Sequence, residues 1–177
     1  MFTCSKLVAQ PFSSVDIGIS TSKVNILDES YASRWNLTSA KSFNFRTPFY
    51  IGTAGLNIDL FDYESKSDQV SDFSSINFSS YLGFRIFDHK DISIVSGLFV
   101  GIQKTDTEDD QFDFNAEERE LYFSFSVEPQ LRIGNFILFG DIQHRKVFNY
   151  YRQNMWFLGA GIKFHIKLPK NIQSFIE

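Results

Sequence analysis

The segment from Leu121 to Arg145 constrains the fold more than any other part of the chain. Residues 121–133 alternate between apolar and polar side chains, which predicts a β-strand with one apolar and one polar face. Gly134-Asn135 follows as a two-residue turn, and pairing Ile133 with Phe136 keeps the apolar set on one side of both strands. The charged residues of this hairpin then share the opposite face, so the segment predicts a two-sided ribbon.

The same alternation recurs along the chain and predicts eight strands. We place them near residues 13–24, 35–46, 49–62, 76–86, 92–103, 121–133, 136–145 and 156–166. Tight turns near 46–49, 88–91 and 133–136 alternate with longer connections near 28–34, 63–73, 104–120 and 146–154. In an up-and-down barrel these two kinds of connection lie at opposite ends.

Four local features carry specific expectations. Thr47-Pro48 is interpreted as the tight turn between the second and third strands, and His89 to Asp91 as a three-residue loop pairing Asp88 with Ile92. Lys41 falls among the outward residues of the second strand, which requires a bulge or a snorkelling side chain. Pro129 cannot donate to a ladder, so we expect a local bulge there.

Length and composition exclude several classes of protein. With 177 residues, the chain is predicted to form one domain. It contains no stretch near 18 continuous apolar residues, which excludes a transmembrane helix. The net charge is −4, and no basic cluster is present, so a nucleic-acid partner is not expected.

The distribution of charge favours lipid outside the barrel. None of the positions assigned outward on strands four to eight is charged, whereas the inward positions include five charged residues. A soluble barrel would show the opposite arrangement. A β-sandwich could also bury apolar faces, but segments of about 12 to 14 residues exceed ordinary soluble strands and suit tilted transmembrane ones. The predicted fold is an all-β, eight-stranded antiparallel up-and-down transmembrane β-barrel.

The two ends are assigned separately from the barrel. Residues 1–12 are interpreted as the remnant of a signal peptide or a disordered terminus, 13–168 as the barrel and 169–177 as a C-terminal tail. Cys4 is the single cysteine, so an internal disulfide is excluded.

The last predicted strand carries a resemblance to a known family. Trp156-Phe-Leu-Gly-Ala-Gly-Ile-Lys-Phe-His-Ile166 resembles the closing strand of the small outer-membrane β-barrels of Gram-negative bacteria, the OmpX and OmpA type, particularly Bacteroidetes-like members. The resemblance implies a porin-like barrel of the bacterial cell envelope. It also implies contact with outer-membrane lipid and with the barrel assembly machinery during insertion. Residues 167–177 depart from it, since many such proteins stop at the closing aromatic residue.

Charged residues on the inward face are the first candidate site. They are expected to form an ion-pair network that fills the lumen, because charges inside a small barrel must pair or remain hydrated. A selectivity ring for a narrow solute channel is the alternative, which eight strands disfavour. The residues assigned are Asp16, Asp59, Arg85, Glu128, Arg132, Asp141 and Lys163.

The connection from Lys104 to Glu120 is strongly acidic and is the second candidate site. Asp106, Glu108, Asp110 and Glu117 match positions 1, 3, 5 and 12 of an EF-hand loop, but Gln111 stands where glycine is needed. We therefore expect a solvated extracellular face that contacts a cation or an unknown partner. No metal or other cofactor is assigned. Aromatic residues near the loop ends are expected to form an interfacial girdle, namely Trp35, Tyr63, Phe148, Tyr150 and Trp156.

Histidines raise the alternative of an enzyme. Some eight-stranded outer-membrane proteins hydrolyse or transfer lipid A acyl chains, which needs a serine, a histidine and an orienting carboxylate. His144 is followed by Arg145-Lys146 and lacks the His-x-Ser arrangement of the deacylase type. We expect a monomeric, non-enzymatic barrel of structural or surface-interaction type, with no catalytic residues.

Overall fold

A computed structural model describes residues 12–50, 52–67, 71–107, 116–148 and 153–169. At positions 38, 39, 106, 107 and 116–118 it describes the backbone alone. Residues 1–11 and 170–177, which form most of the two predicted ends 1–12 and 169–177 and include Cys4, lie outside these residues. No helix in the described part of the chain is long and apolar enough to cross a membrane.

Eight antiparallel strands follow one another in sequence order and close into a barrel, because the first strand also pairs with the last. The predicted all-β up-and-down barrel is confirmed. The strands are β1 (Ser14–Ile26), β2 (Trp35–Phe49), β3 (Gly52–Ser65), β4 (Phe73–His89), β5 (Ile92–Thr107), β6 (Ala116–Ile133), β7 (Phe136–Val147) and β8 (Asn154–Lys167).

Side chains alternate between the interior and the outer surface, as the sequence pattern predicts. On β6, Tyr122, Ser124 and Ser126 are buried, while Phe123 and Phe125 are exposed. Among the described residues, 32 large hydrophobic side chains are exposed and 14 hydrophobic side chains are buried. The apolar surface of this barrel therefore faces outward.

Two tight turns differ from the predictions. The β2–β3 reversal lies between Phe49 and Gly52, which pair directly, so Thr47-Pro48 belongs to β2. His89 pairs with Ile92, which reduces the predicted three-residue loop to Lys90-Asp91. A register shift between Arg85 and Phe87 absorbs the extra residue, so the outward face is preserved despite the shorter loop.

β2 contains a bulge, which lies before Lys41 and not at it, and this bulge changes which residues face inward. The register between β2 and β3 shifts between Leu37 and Ser39. Lys41 is exposed on the outer side, as expected, but Trp35 and Leu37 pack against the buried core. The outward assignment of Trp35 and Leu37 was wrong, because the bulge displaces the alternation by one residue.

Pro129 produces no bulge. It pairs with Ile94 on β5, and β6 keeps one register with β7 on both sides of it, from Val127↔Ile142 to Gln130↔Phe139. Between those pairs the ladder is interrupted opposite Gly140. An added Cβ at Gly140 would lie 3.5 Å from Cγ of Pro129, which is an ordinary van der Waals contact.

The loop end contains structure that alternation did not predict. A four-residue helix, α1 (Glu29–Ala32), lies between β1 and β2 and begins at Asp28, whose carboxylate accepts hydrogen bonds from the Ser30 and Tyr31 amides. Its Tyr31 is buried. β5 extends to Thr107 and β6 starts at Ala116, so both ends of the predicted long connection 104–120 are strand, and 108–115 lie outside the described residues.

Candidate functional site

A chain of polar contacts crosses the middle of the barrel interior. Nη2 of Arg46 donates to the Asn57 side-chain oxygen (2.6 Å), and the Asn57 amide donates to Oδ1 of Asp59 (3.0 Å). The other oxygen of Asp59 accepts a hydrogen bond from Nη2 of Arg145 at 2.5 Å. All four side chains are buried. The carboxylate of Asp59 compensates the buried charge of Arg145, which is 86 positions away in the sequence.

Aromatic rings surround both guanidinium groups of this chain. Cζ of Arg145 lies 4.3 Å from the ring centroid of Tyr122 and 4.8 Å from that of Phe157. Cζ of Arg46 lies 3.7 Å from the ring centroid of Tyr81. Ring faces attract cations most strongly where water is excluded, so these contacts stabilise the buried charges further.

A second ion pair joins β6 and β8. Nζ of Lys163 donates to the Glu128 carboxylate, which also accepts a hydrogen bond from Nε2 of the Gln130 side chain. The lysine nitrogen lies 4.2 Å from the ring centroid of Phe139. Closer to the turn end, Nδ1 of His165 lies 2.6 Å from Oδ1 of Asp16.

The remaining predicted lumen residues are placed differently. Oδ1 of Asp141 is buried and has no hydrogen-bond partner among the described residues. The sequence assigned Arg85 to the lumen network. In the structure its side chain is half-exposed, and its Nη1 lies 2.9 Å from Oδ2 of Asp88. Arg132 is also exposed, and with Arg85 it lines a polar cavity of about 250 Å³ at the turn-side mouth.

Aromatic side chains fill the interior at the loop end. The rings of Tyr63 and Phe73 stack at 4.3 Å, and Tyr31 of α1 packs edge-on against both. We call this group the loop-side cluster. Its buried members are Tyr31, Phe61, Tyr63, Phe73, Tyr122, Val147, Met155 and Phe157.

The acidic connection is described only in part. The backbones of Asp106 and Glu117 pair across β5 and β6, whereas Glu108 and Asp110 lie outside the described residues. In the part of the chain that the structure describes, no three His, Cys, Asp or Glu side chains form a group suited to a metal ion. The proposed cation contact therefore stays a prediction.

The predicted aromatic girdle is wrong at Tyr63 and Trp35, which belong to the interior side of the loop end. Phe148 and Trp156 are exposed on the outer side, and Tyr150 lies outside the described residues. His144 also faces outward, with its ring 4.9 Å from that of Trp156. His89 ends β4 beside the short turn.

Sequence reasoning left several interior partners out of the candidate site. Arg46, Arg145 and His165 each contact a carboxylate or its hydrogen-bonded neighbour inside the barrel. All three residues occupy inward positions in the alternating pattern from which the lumen ion-pair network was predicted. Extending that alternation to every charged inward residue would have found them.

Comparison with known proteins relates this barrel to a structural group. Neither a family model nor a curated protein matches the sequence. Neisserial surface protein A (NspA) is similar in structure, with a TM-score of 0.61 and 6% identity, over 88% of this chain and 96% of that protein.

Two further structures are similar. The N-terminal β-barrel domain of Pseudomonas aeruginosa OprF has a TM-score of 0.56 and 11% identity, over 89% of this chain and all of that domain (100%). The Yersinia pestis outer membrane protein Ail has a TM-score of 0.50 and 15% identity, over 84% of this chain and 99% of that protein. The chain shares the fold of these small eight-stranded barrels.

Proposed function

We propose that this chain is an integral outer-membrane β-barrel of structural or surface-interaction type, without enzymatic activity. The observation that carries the proposal is the closed barrel, most of whose large apolar side chains face outward. In water, a continuous surface of this kind would drive aggregation, whereas a bilayer core solvates it.

The dimensions of the outward apolar surface fit a bilayer. On β8 the outward residues from Trp156 to Ile166 are uncharged. Ten residue steps at a rise of about 3.3 Å and a tilt near 40° give roughly 25 Å along the barrel axis. That length corresponds to the apolar band of outer-membrane barrels. The similarity of the fold to that of Ail, an outer membrane protein of Yersinia pestis, supports the same location.

The filling of the interior supports a non-conducting barrel. The loop-side cluster packs rings across the interior, and paired charges occupy the middle. A narrow solute channel is therefore disfavoured. The acidic residues between 104 and 120 remain the proposed contact region for an extracellular partner.

Among the described residues, no serine hydroxyl is hydrogen-bonded to a carboxylate-oriented histidine, as the enzymatic alternative requires. His165 contacts Asp16, but no hydrogen bond joins its ring to a serine hydroxyl among the described residues. His144 packs on Trp156 at the outer surface. A lipid A acyl hydrolase needs its serine within reach of a carboxylate-oriented histidine.

Electrophoresis of detergent-extracted protein before and after boiling tests the proposal. A folded membrane barrel is expected to change its mobility on boiling and to remain with the membrane after a high-salt wash. Release into the soluble fraction as a folded monomer would contradict the proposal. Lipid A mass spectra and single-channel recordings test the two alternatives, and both are expected to be unchanged by the protein.

A further inference from the structure

We propose that one side of the barrel, at the loop-side edge of its apolar band, binds the phosphate groups of membrane lipids through Lys23, Lys41 and Lys146. We call this surface the basic belt. It also contains His144 and Trp156. The proposal rests on the membrane location proposed above and adds a specific lipid contact to it.

The register makes the basic belt continuous across four neighbouring strands. Lys41 on β2 pairs with Thr21, two residues from Lys23 on β1. Lys23 pairs with Leu158, which is two residues from Trp156 on β8. Trp156 in turn pairs with His144, and Asn154 pairs with Lys146 on β7. The outward cations therefore lie on β7, β1 and β2, with the tryptophan between them.

The cations of the basic belt face away from the interior, and none of them forms an ion pair with a described residue. Lys23, Lys41 and Lys146 are all exposed. No ion pair joins Lys23 or Lys41 to another described residue, and Lys146 contacts the Phe148 ring at 5.6 Å. The carboxylates of β1 and β7, Asp16 and Asp141, are on inward positions, while β2 and β8 contain no Asp or Glu.

The neighbouring strand β3 differs in charge. At its loop-side end, Asp62 and Glu64 are exposed on the outer face. Asp62 is two residues from Leu60, the β3 partner of Lys41, so the basic belt borders an acidic side at its β2 edge. An anion approaching from the surrounding membrane is attracted to β7–β8–β1–β2 and repelled from β3.

Lipid phosphate is the ligand that fits this position. Lys41 is two residues from the apolar Phe43 on the same face, and Trp156 marks the boundary where amphipathic rings meet headgroups. A lysine at this depth can extend its ammonium group to the headgroup layer. Phosphate groups concentrate in that layer, and they can compensate lysines that form no ion pair with a described residue.

Trp156 provides a direct probe for this contact. The chain has two tryptophans, and in Trp35→Phe the fluorescence of Trp156 alone reports on neighbouring lipid. The full chain would be reconstituted into phosphatidylcholine vesicles that contain brominated phosphatidic acid or brominated phosphatidylcholine as quencher. We expect phosphatidic acid to quench at a several-fold lower mole fraction.

Matched variants then separate specific binding from overall charge. In the same background, K23Q/K41Q should remove the preference for phosphatidic acid, since each lysine near an anionic headgroup contributes about fivefold at low salt. The control K90Q/K167Q removes the same charge at the turn end and should retain the preference. Equal effects of both variants would overturn the proposal.

Other outcomes identify which proposal fails. Equal quenching by the two lipids in Trp35→Phe would overturn the phosphate contact while leaving the membrane location supported. Weak quenching by both lipids would show that Trp156 does not face lipid, and would overturn both proposals. Loss of the preference on adding a large excess of inorganic phosphate would overturn the assignment to membrane lipid, because the surface would then bind phosphate from solution.

Discussion

The two ends of the barrel interior are filled in different ways. At the loop end, Tyr31, Phe61, Tyr63 and Phe73 exclude water with packed rings. At the turn end the interior is polar, since Nδ1 of His165 contacts Asp16 and the side chains of Arg85 and Arg132 line the exposed mouth. At both ends the interior residues occupy inward positions of the same alternating strands. The alternation therefore determines whether a side chain faces inward, but not whether the interior at that end is aromatic or polar. The Asp59–Arg145 pair lies where the two fillings meet.

The strongest test of this boundary is Asp59→Ala. The substitution leaves the Arg145 guanidinium buried without its carboxylate, which should lower the free energy of unfolding by about 3 to 5 kcal/mol. Urea titration of the reconstituted barrel measures this change. Asp88→Ala, at a pair whose side chains are 52% and 47% exposed, should cost less than about 1 kcal/mol. Similar decreases in the free energy of unfolding of the two variants would show that the ion pair in the interior is no more important for stability than the one at the mouth.

Phe61→Ala tests the packing of the loop-side cluster. Phe61 contacts Tyr63, Phe157 and the guanidinium of Arg145. Truncation should cost about 3 kcal/mol, and Phe61→Leu should cost less because it leaves a smaller cavity. The same urea titration applies. If the alanine variant has the same free energy of unfolding as the wild type, the rings of the loop-side cluster are not tightly packed.

Gly97→Ala tests how tightly the middle of the interior is filled. An added Cβ would lie 2.2 Å from Cε2 of Tyr81, and that ring is held against Arg46. Overpacking of this kind should cost about 1 to 3 kcal/mol. Gly140→Ala is the matched control, because its Cβ would have ordinary contacts. Equal stability of the two variants would indicate that Tyr81 moves freely.

The smallest expected effect concerns the helix above the loop-side cluster. A hydrogen bond from the Ser30 hydroxyl lowers the pKa of Asp28, and the amides of Ser30 and Tyr31 act in the same direction. Because the folded-state pKa is lowered, the stabilisation is present above the ordinary aspartate pKa and is lost as the pH falls through the lowered value.

Hydrogen exchange measures this effect locally. The amides of Ser30 and Tyr31 should lose protection on acidification, while the barrel strands keep theirs. In Asp28→Asn the neutral amide also caps the helix, so protection should vary little over the same pH range. A parallel acid response in this variant would exclude Asp28 as the titrating group.

Much of this architecture was predictable from local sequence. Strict alternation from Leu121 to Ile133 fixed both faces of β6, and Gly134-Asn135 fixed its register with β7. The partnership of Asp59 with Arg145 was not predictable, because it crosses the lumen between β3 and β7. It depends on how the closed barrel staggers its strands, and pairwise hairpin registers do not reveal that.

The errors arose where one residue changed the alternation. The bulge after Leu37 turned Trp35 inward, and nothing in the local sequence marks its exact position. Tyr63 occupies the same face as Asp59 and Phe61, but its aromatic character suggested an interface. Arg85 and Arg132 have inward positions, yet they are so close to the turns that their side chains reach solvent.

The pairing of β1 with β8 has a consequence for how the chain folds. Thirteen residues of β1, from Ser14 to Ile26, find their partners on the last strand to be synthesised. The hairpins can form from neighbouring segments, but both sheet edges stay unpaired until the final strand arrives. A chain shortened before Asn154 would keep every hairpin turn and still lack closure, so it should accumulate as an aggregation-prone intermediate.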